Sequence, residues 1–533
     1  MVFFVGMRKI NSFGILLIAI SIAFVPKVSW AQSCALVPPA VSCYGTYYPS
    51  GLWQDSCCQS CGTTPSPDPC SPGAYCTPGS NVCSECPTGS TCNPGSTQPP
   101  GLPGTPVDGV PITKDPIVIA TGESLFSSTD FSFNSQGPAL SLSRQYRSFS
   151  NINGIFGYGW RTDFDTNLSA DSSGNVTLFN KKGTEFIFKN YPNSYYVGGT
   201  LAPFYYIPFP GNYSSLSTPT GSLYTLVDKN GFVTNYDSTG RITSRKDRNG
   251  NTLTFVYNPS VPGGTYIQDA NGRRIFLNFD GNGHVISASD PAGKTFQYGY
   301  DVNGNLVTVT DPTGAVTNYY YDANHRIIQF TNANGHNRYY QYDAQGRATM
   351  NWQDNNVNKV TLDYQANNTT VVTDSLGHSD TYVFNNMGLM ISHTDPLGAV
   401  TQQTWDGNMN KTSITDARNN VTYFVYDGNG NLLQTVDPLG NSTTMTYTPD
   451  FNLISTKTDA LGHVTHFFYD NHGNLTSTTD ALGNSHSFIY DQSGNIISTT
   501  DSRGNSTKFT YDAFDHVIQK TDALGNNVSF TYE

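Results

Sequence analysis

From residue 221 to Glu533, apolar and polar positions alternate with a period of two, and an aromatic residue followed by Asp returns about every 21 residues. The step is carried by Tyr300-Asp301, Tyr321-Asp322, Tyr342-Asp343, Tyr426-Asp427, Tyr469-Asp470, Tyr490-Asp491 and Tyr511-Asp512. Weaker copies such as Phe279-Asp280, Phe384-Asn385 and Trp405-Asp406 fill the gaps, so that one unit is used about fourteen times. Ten residues before each aromatic stands a second turn signal, as in Asp290-Pro-Ala-Gly293, Asp437-Pro-Leu-Gly440 and Asp480-Ala-Leu-Gly483. Only six or seven residues separate one turn from the next, which is strand length and too short for a helix. The unit is therefore a β-hairpin, with Asp or Asn opening each turn through its own side chain and Gly supplying positive φ. Side chains alternate across a strand, so Phe509 and Tyr511 share a face, as do Tyr298 and Tyr300 or Phe488 and Tyr490. These pairs are expected to build aromatic ladders at the strand spacing of about 4.8 Å. Leu306, Ile327, Leu475, Ile496 and Val517 give the following strand its aliphatic residue. A fixed period of this length means a repeat architecture, in which each unit is expected to contact mainly its neighbours.

Residues 1–220 lack this step. Residues 1–31 carry Arg8 and Lys9, an apolar run from Phe13 to Val25, and the small residues Ser29 and Ala31. The run is shorter than the roughly 20 residues that span a bilayer, so a secretory signal peptide is expected, with no transmembrane span in the mature chain. Met7 is an alternative start and Cys34 an alternative lipid-anchor position. Residues 32–94 hold all ten cysteines: Cys34, Cys43, Cys57, Cys58, Cys61, Cys70, Cys76, Cys83, Cys86 and Cys92. An even count confined to a small, exported, loop-rich segment reads as a disulfide head. The spacings Cys58-x-x-Cys61 and Cys83-x-x-Cys86 keep zinc open as the alternative. Residues 95–114 form a Pro/Gly linker.

Residues 115–220 read as short strands and Gly-Asn turns. They contain Asp115-Pro116, Thr121-Gly122-Glu123, Thr129-Asp130-Phe131, Arg144-Gln-Tyr146 and Phe156-Gly157-Tyr158-Gly159-Trp160. This succession resembles the domain that precedes the repeats in Rhs/YD-repeat proteins. The Tyr-Asp-x-x-Gly-Asn and Asp-Pro-x-Gly runs of residues 221–533 resemble the YD repeats of that family and of the teneurins. The resemblance implies an all-β fold, a spiralling array of hairpins that forms a shell or part-shell behind a small β domain; the disulfide head, read from its cysteines, is not part of the usual pattern of that family. In that family the shell encloses a C-terminal toxic or signalling cargo, cut off at a closing motif. Here the sequence ends inside a repeat at Phe530-Thr-Tyr532-Glu533, and the expectation is a truncated gene or a fragment of a longer exported protein.

Composition narrows the function. A net charge of −12 and a pI near 5.2 argue against nucleic acid as a partner. No nucleophile elbow, metalloprotease helix or phosphate-binding loop is present in the sequence, and no catalytic residue, cofactor or metal ligand is assigned. Arg144 and Trp160 are expected to supply packing and a salt bridge. Runs such as Asp280-Gly-Asn-Gly283 are expected to be turns rather than calcium loops, since the bidentate Glu is missing. The reading is a secreted, non-enzymatic shell whose partners are a C-terminal cargo or further repeats. The alternative is a cell-surface adhesion or carbohydrate-binding protein with surface glycans as partners, and an enzyme ranks last.

Overall fold

The computed structural model describes residues 111–532 apart from short stretches (115, 134, 136, 181–184, 192–195, 198–199, 202–204, 209 and 219–222), together with two short strands near the start. Those two, Gly45–Tyr47 and Trp53–Asp55, pair antiparallel in a unit of their own. The expected signal peptide, the ten cysteines, the linker as far as residue 110 and Asp115 lie outside the described residues.

One antiparallel sheet runs from Asn167–Ala170 to Asn527–Ser529, strand after strand in chain order. The helical elements among the described residues are two three-residue 3-10 turns. A tight local device sets each hairpin. Asp301 Oδ1 accepts the backbone N–H groups of Asn303 and Asn305 at 2.9 Å each, and Asn305 Nδ2 donates to Asp301 Oδ2 at 2.8 Å. Gly304 takes φ of 80°, closing the turn in a conformation other residues adopt at a cost. The tyrosine before the Asp reaches the other way. Tyr300 Oη donates to the Val285 carbonyl at 2.8 Å, Tyr321 to Leu306 at 2.8 Å and Tyr490 to Leu475 at 2.9 Å, always 15 residues back. Asp and Asn thus shape one turn, while Tyr ties it to the repeat before.

The ladder differs from the one expected. Tyr300 pairs in register with Leu306, and Tyr490 with Ile496, so an aliphatic strand separates successive aromatics. Two strand spacings, about 10 Å, are too far for ring-on-ring stacking. The hydroxyl-to-carbonyl bond links them instead.

The two edges of the sheet are unlike. At the Tyr-Asp edge Gly299 pairs with Thr308 and Tyr300 with Leu306, which leaves Val307 as a bulge; the same shift recurs at Tyr321, Tyr426, Tyr469 and Tyr511. At the other edge the pairing runs without a bulge, as in Val309 with Thr317 and Thr310 with Val316. A bulge bends its strand and raises the local twist. Repeated along one edge, it makes the sheet curl. The curl brings the first strand back to a later turn, where Leu168 N–H donates to the Gly240 carbonyl at 2.8 Å and Asn167 bridges Arg241.

Beyond this closure the turns form two rows. The Asp228, Asp247 and Asp269 turns of the first row meet Tyr-Asp-side turns of the second. Asn249 and Asn474 exchange amide hydrogen bonds of 3.0 and 2.8 Å, and Asn271 Nδ2 donates to Asp515 Oδ2 at 2.7 Å, over separations of 225 and 244 residues. The expectation that a unit touches mainly its neighbours is incomplete, because the curl adds contacts about eleven repeats away.

Candidate functional site

The repeat sheet carries a small β domain on the face of its motif aromatics. Leu125–Phe133, Leu140–Arg147 and Trp160–Arg161 form a three-stranded sheet, next to the hairpin of Asn153–Gly154 and Gly157–Tyr158. Alternation puts Leu140, Leu142, Arg144 and Tyr146 on one buried face. They meet the repeats edge to face. Phe131 packs on Phe296 (ring centroids 5.1 Å apart), Phe156 on Tyr298 (4.8 Å) and Trp160 on Tyr319 (5.2 Å). These rings belong to one continuous core with Leu277, Leu306 and Ile327.

Polar groups inside this core are paired across it. Asp130 is the extra residue of a bulge, since Thr129 pairs with Ser143 and Phe131 with Leu142. The bulge aims its carboxylate at Arg144, which donates from Nε and Nη2 at 2.7 Å each, while Tyr298 Oη donates to the same carboxylate at 2.7 Å. Both ion-pair side chains are 1% exposed. Burial works to lower the Arg144 pKa, but the charge and hydrogen bonds of Asp130 outweigh it, so the guanidinium stays charged with its pKa raised. It also lies over the rings of Trp160 and Tyr298, at 5.1 and 5.3 Å. Trp160 Nε1 donates to Tyr321 Oη at 2.9 Å. Tyr146 Oη donates to the His325 carbonyl and accepts Ile327 N–H, both at 2.9 Å. Burial pushes the Tyr146 and Tyr298 hydroxyls well above the ordinary phenol range, which keeps them as neutral donors.

Of the expected residues of the pre-repeat motif, Gly122, Asp130, Arg144, Tyr146, Gly157 and Trp160 meet the repeats, while Pro116, Thr121 and Gly159 make contacts within the pre-repeat domain and Asp115 is outside the described residues. The Pro116 carbonyl accepts Leu125 N–H at 2.8 Å, and Thr121 Oγ1 accepts Glu123 N–H at 3.3 Å. The Gly122 carbonyl accepts Ala348 N–H at 2.7 Å. Gly157 and Gly159 lie where a side chain would run into the Gly304 carbonyl and the Tyr146 ring. Sequence reasoning did not single out the buried pair of Glu123 and Arg147, the Arg245 to Asp163 ion pair at 2.6 Å, or the His325 ring stacked on Tyr158 at 3.8 Å. Each of these depends on strand register or on contact far along the chain. The Tyr-Asp residues do not gather at one point. They are distributed along the sheet, one set per hairpin.

Residues 279–316, 321–350, 426–457, 450–485 and 490–532 match the family model described as RHS Repeat. The chain is an RHS-repeat protein. In front of its repeats, residues 114–188 match a domain of unknown function, DUF6531. No curated protein matches the chain. Among solved structures, this RHS-repeat protein is similar to a crystal structure of TcdB2-TccC3-TEV at 14% identity and a TM-score of 0.40, over 75% of this chain and 24% of that one. It is also similar to the Photorhabdus luminescens Tc holotoxin pore at 13% identity and a TM-score of 0.38, over 76% and 26%. The RHS-repeat chain thus spans about a quarter of the length of those structures.

The Tyr-Asp motif is predicted to act as a graded structural element. Tyr490→Phe removes one hydrogen bond from a half-buried site and costs about 1 kcal/mol. Tyr321→Phe leaves the Leu306 carbonyl and the Trp160 N–H without their partner at a buried site. It costs roughly 2–4 kcal/mol, because each unsatisfied buried group carries its own desolvation penalty. Amide exchange at Leu306 and around Trp160 reads the difference, and equal effects at both positions would refute this account.

The turn aspartates also link stability to pH. The side-chain amide four residues on holds the carboxyls of Asp416, Asp437, Asp480, Asp501 and Asp522 below the usual range. A carboxyl whose folded pKa lies below its unfolded value stabilises the fold above the unfolded value, about 3.9, and loses that contribution as pH falls through the folded one. Asp165 is raised by burial and runs the other way, but it is a single group. The thermal midpoint is expected to hold level down to about pH 5 and to drop below about pH 4. A midpoint that rises on acidification would contradict the assignment.

Proposed function

We propose that this protein is an exported, non-enzymatic scaffold, the front part of an RHS-repeat shell that encapsulates or delivers a C-terminal toxin-like cargo. The observation that carries the reading is the closure of the curled sheet through Leu168 and Gly240, with the DUF6531 domain fixed against its motif face. A sheet that curls on itself encloses a volume, and the motif residues are engaged in holding that curve. The carboxylates of the site serve as acceptors for fixed donors, which suits them to hold structure rather than to move protons. Among the described residues no helix is long and apolar enough to cross a membrane. Export rests on the N-terminal segment, and the disulfide head is read as fitting an oxidising exterior.

Secreted material from the source culture tests this. Proteinase treatment under native conditions, followed by mass spectrometry, should leave the repeat region intact together with sequence from outside residues 1–533 that becomes digestible only after denaturation. Recovery of the chain solely from the cytoplasm, or of a secreted shell with no protected foreign sequence, would refute the proposal.

A further inference from the structure

Where the pre-repeat domain meets the repeats, it leaves a gap in the packing. A cavity of about 170 Å³ lies between residues 128–130 and the repeat strands Leu306–Thr310 and Val316–Tyr321. Arg144 and Asp130 form its buried end, and the exposed Thr129 and Ala333 mark its opening to solvent. The sequence accounts for the gap. Thr317 stands four residues before the motif tyrosine Tyr321, a position held by Phe296 one repeat earlier and Arg338 one repeat later. Both of those long side chains reach aromatic partners, Phe296 against Phe131 at 5.1 Å and the Arg338 guanidinium over Phe330 at 5.4 Å. Threonine is too short to fill the same space.

The buried end of the cavity has an unmet need. Arg144 gives Nε and Nη2 to Asp130, and Nη2 also reaches Ser128 Oγ at 3.2 Å, but Nη1 is buried without a hydrogen-bond partner. The Tyr319 hydroxyl is a neighbour that completes no hydrogen bond of normal geometry with it. A buried N–H of a cation is costly to leave unmet, so this end of the cavity calls for an acceptor.

We propose that the cavity binds a small neutral molecule of the carboxamide class, with its carbonyl oxygen on Arg144 Nη1 and a flat apolar body against Phe296, Val309 and Tyr319. Size sets the first limit, because a cavity of roughly 150 Å³ is enough for one benzene ring. Charge sets the second. The Arg144 charge is already balanced by Asp130, and the Asp311 carboxyl also lines the cavity, so an anion would face two carboxylates with one cation between them. A ligand with no acceptor is disfavoured as well, since it displaces water and leaves Nη1 bare. The proposal stands apart from the cargo reading, because it needs only the junction between the two parts of the chain.

Ligand-observed NMR titration of the full chain tests it, with benzamide, benzoate and toluene as probes of one size and three chemistries. Benzamide should bind in the millimolar range expected of so small a ligand, and the other two at least tenfold more weakly, about the worth of one well-placed hydrogen bond. Thr317→Phe, which places beside Phe296 the same side chain, should abolish benzamide binding. Thr443→Phe changes the equivalent position before Tyr447, away from the cavity, and should leave binding as in the parent chain. No benzamide binding by the parent chain means that water alone fills the cavity, and it overturns the proposal. Benzoate binding as tightly would make this an anion site, and toluene binding as tightly a plain apolar void; either result overturns it too. So does benzamide binding that survives Thr317→Phe. The comparison of the three probes on the parent chain stands even if that variant fails to fold.

Discussion

Asp130→Asn loosens the pre-repeat domain from the repeat sheet and costs about 3–5 kcal/mol, the largest effect expected of a single substitution in this protein. The carboxylate accepts three hydrogen bonds of 2.7 Å and a longer one from Ser128 Oγ inside a core where both ion-pair side chains are 1% exposed. Removing its charge strands the Arg144 guanidinium between Trp160 and Tyr298 with nothing to balance it. The pair itself is not the main source of stability, because placing two charges in such a core costs several kcal/mol per ion before their attraction is counted. Replacing all three partners with apolar groups, Asp130→Leu with Arg144→Met and Tyr298→Phe, is therefore expected to recover most of the loss. The junction is one part of a long array, so a local measurement reads it most directly. Amide exchange over Leu125–Arg147 and the facing strand Thr295–Tyr300 should rise in the single variant and return toward the parent level in the triple. A single variant with unchanged exchange would show that the junction does not depend on this pair.

Gly240→Ala breaks the closure of the curled sheet. At φ of 83° the position already charges any L-residue about 1–2 kcal/mol. A methyl group there would also run into the Leu168 carbonyl oxygen, a backbone atom with no rotamer to escape into. The first strand, Asn167–Ala170, has to move away and gives up its hydrogen bond to Gly240. Gly483→Ala is the matched comparison, with the same φ of 83° and nothing within 4 Å of the added carbon. The first substitution should cost roughly 1–3 kcal/mol more than the second, the usual range for forcing atoms into a packed contact. Equal costs would mean that the sheet does not close at this point.

The hairpin was legible because its chemistry is local. Asp301, Gly304 and Asn305 lie within five residues of one another, and the turn they form follows from what each side chain does to nearby backbone. The alternation of Phe509 and Tyr511 placed both on one face for the same reason. The role of Tyr300 was less visible, because its partner is a carbonyl 15 residues back and any residue offers one. In the pre-repeat domain, Asp130 and Arg144 stood out in the sequence, but their pairing depends on a one-residue bulge that shifts the register between Thr129 and Phe131. The seam between the two rows of turns left no trace at all. Asn249 and Asn474 are ordinary turn asparagines, and they meet only because the bulges on one edge add up to a full curl.

The one-sided bulges also bear on how such a chain changes length. Each hairpin adds the same increment of bend, so the repeat opposite a given turn is fixed by how many hairpins lie between them. Loss of one 21-residue unit between Asn271 and Asp515 would slide the second row by one hairpin along the first. The backbone of every turn would still meet an equivalent turn, while side chains such as that of Asn271 changed partners. Insertions and deletions in whole repeats are thus moves of a vernier, and a fractional repeat has no notch to settle in.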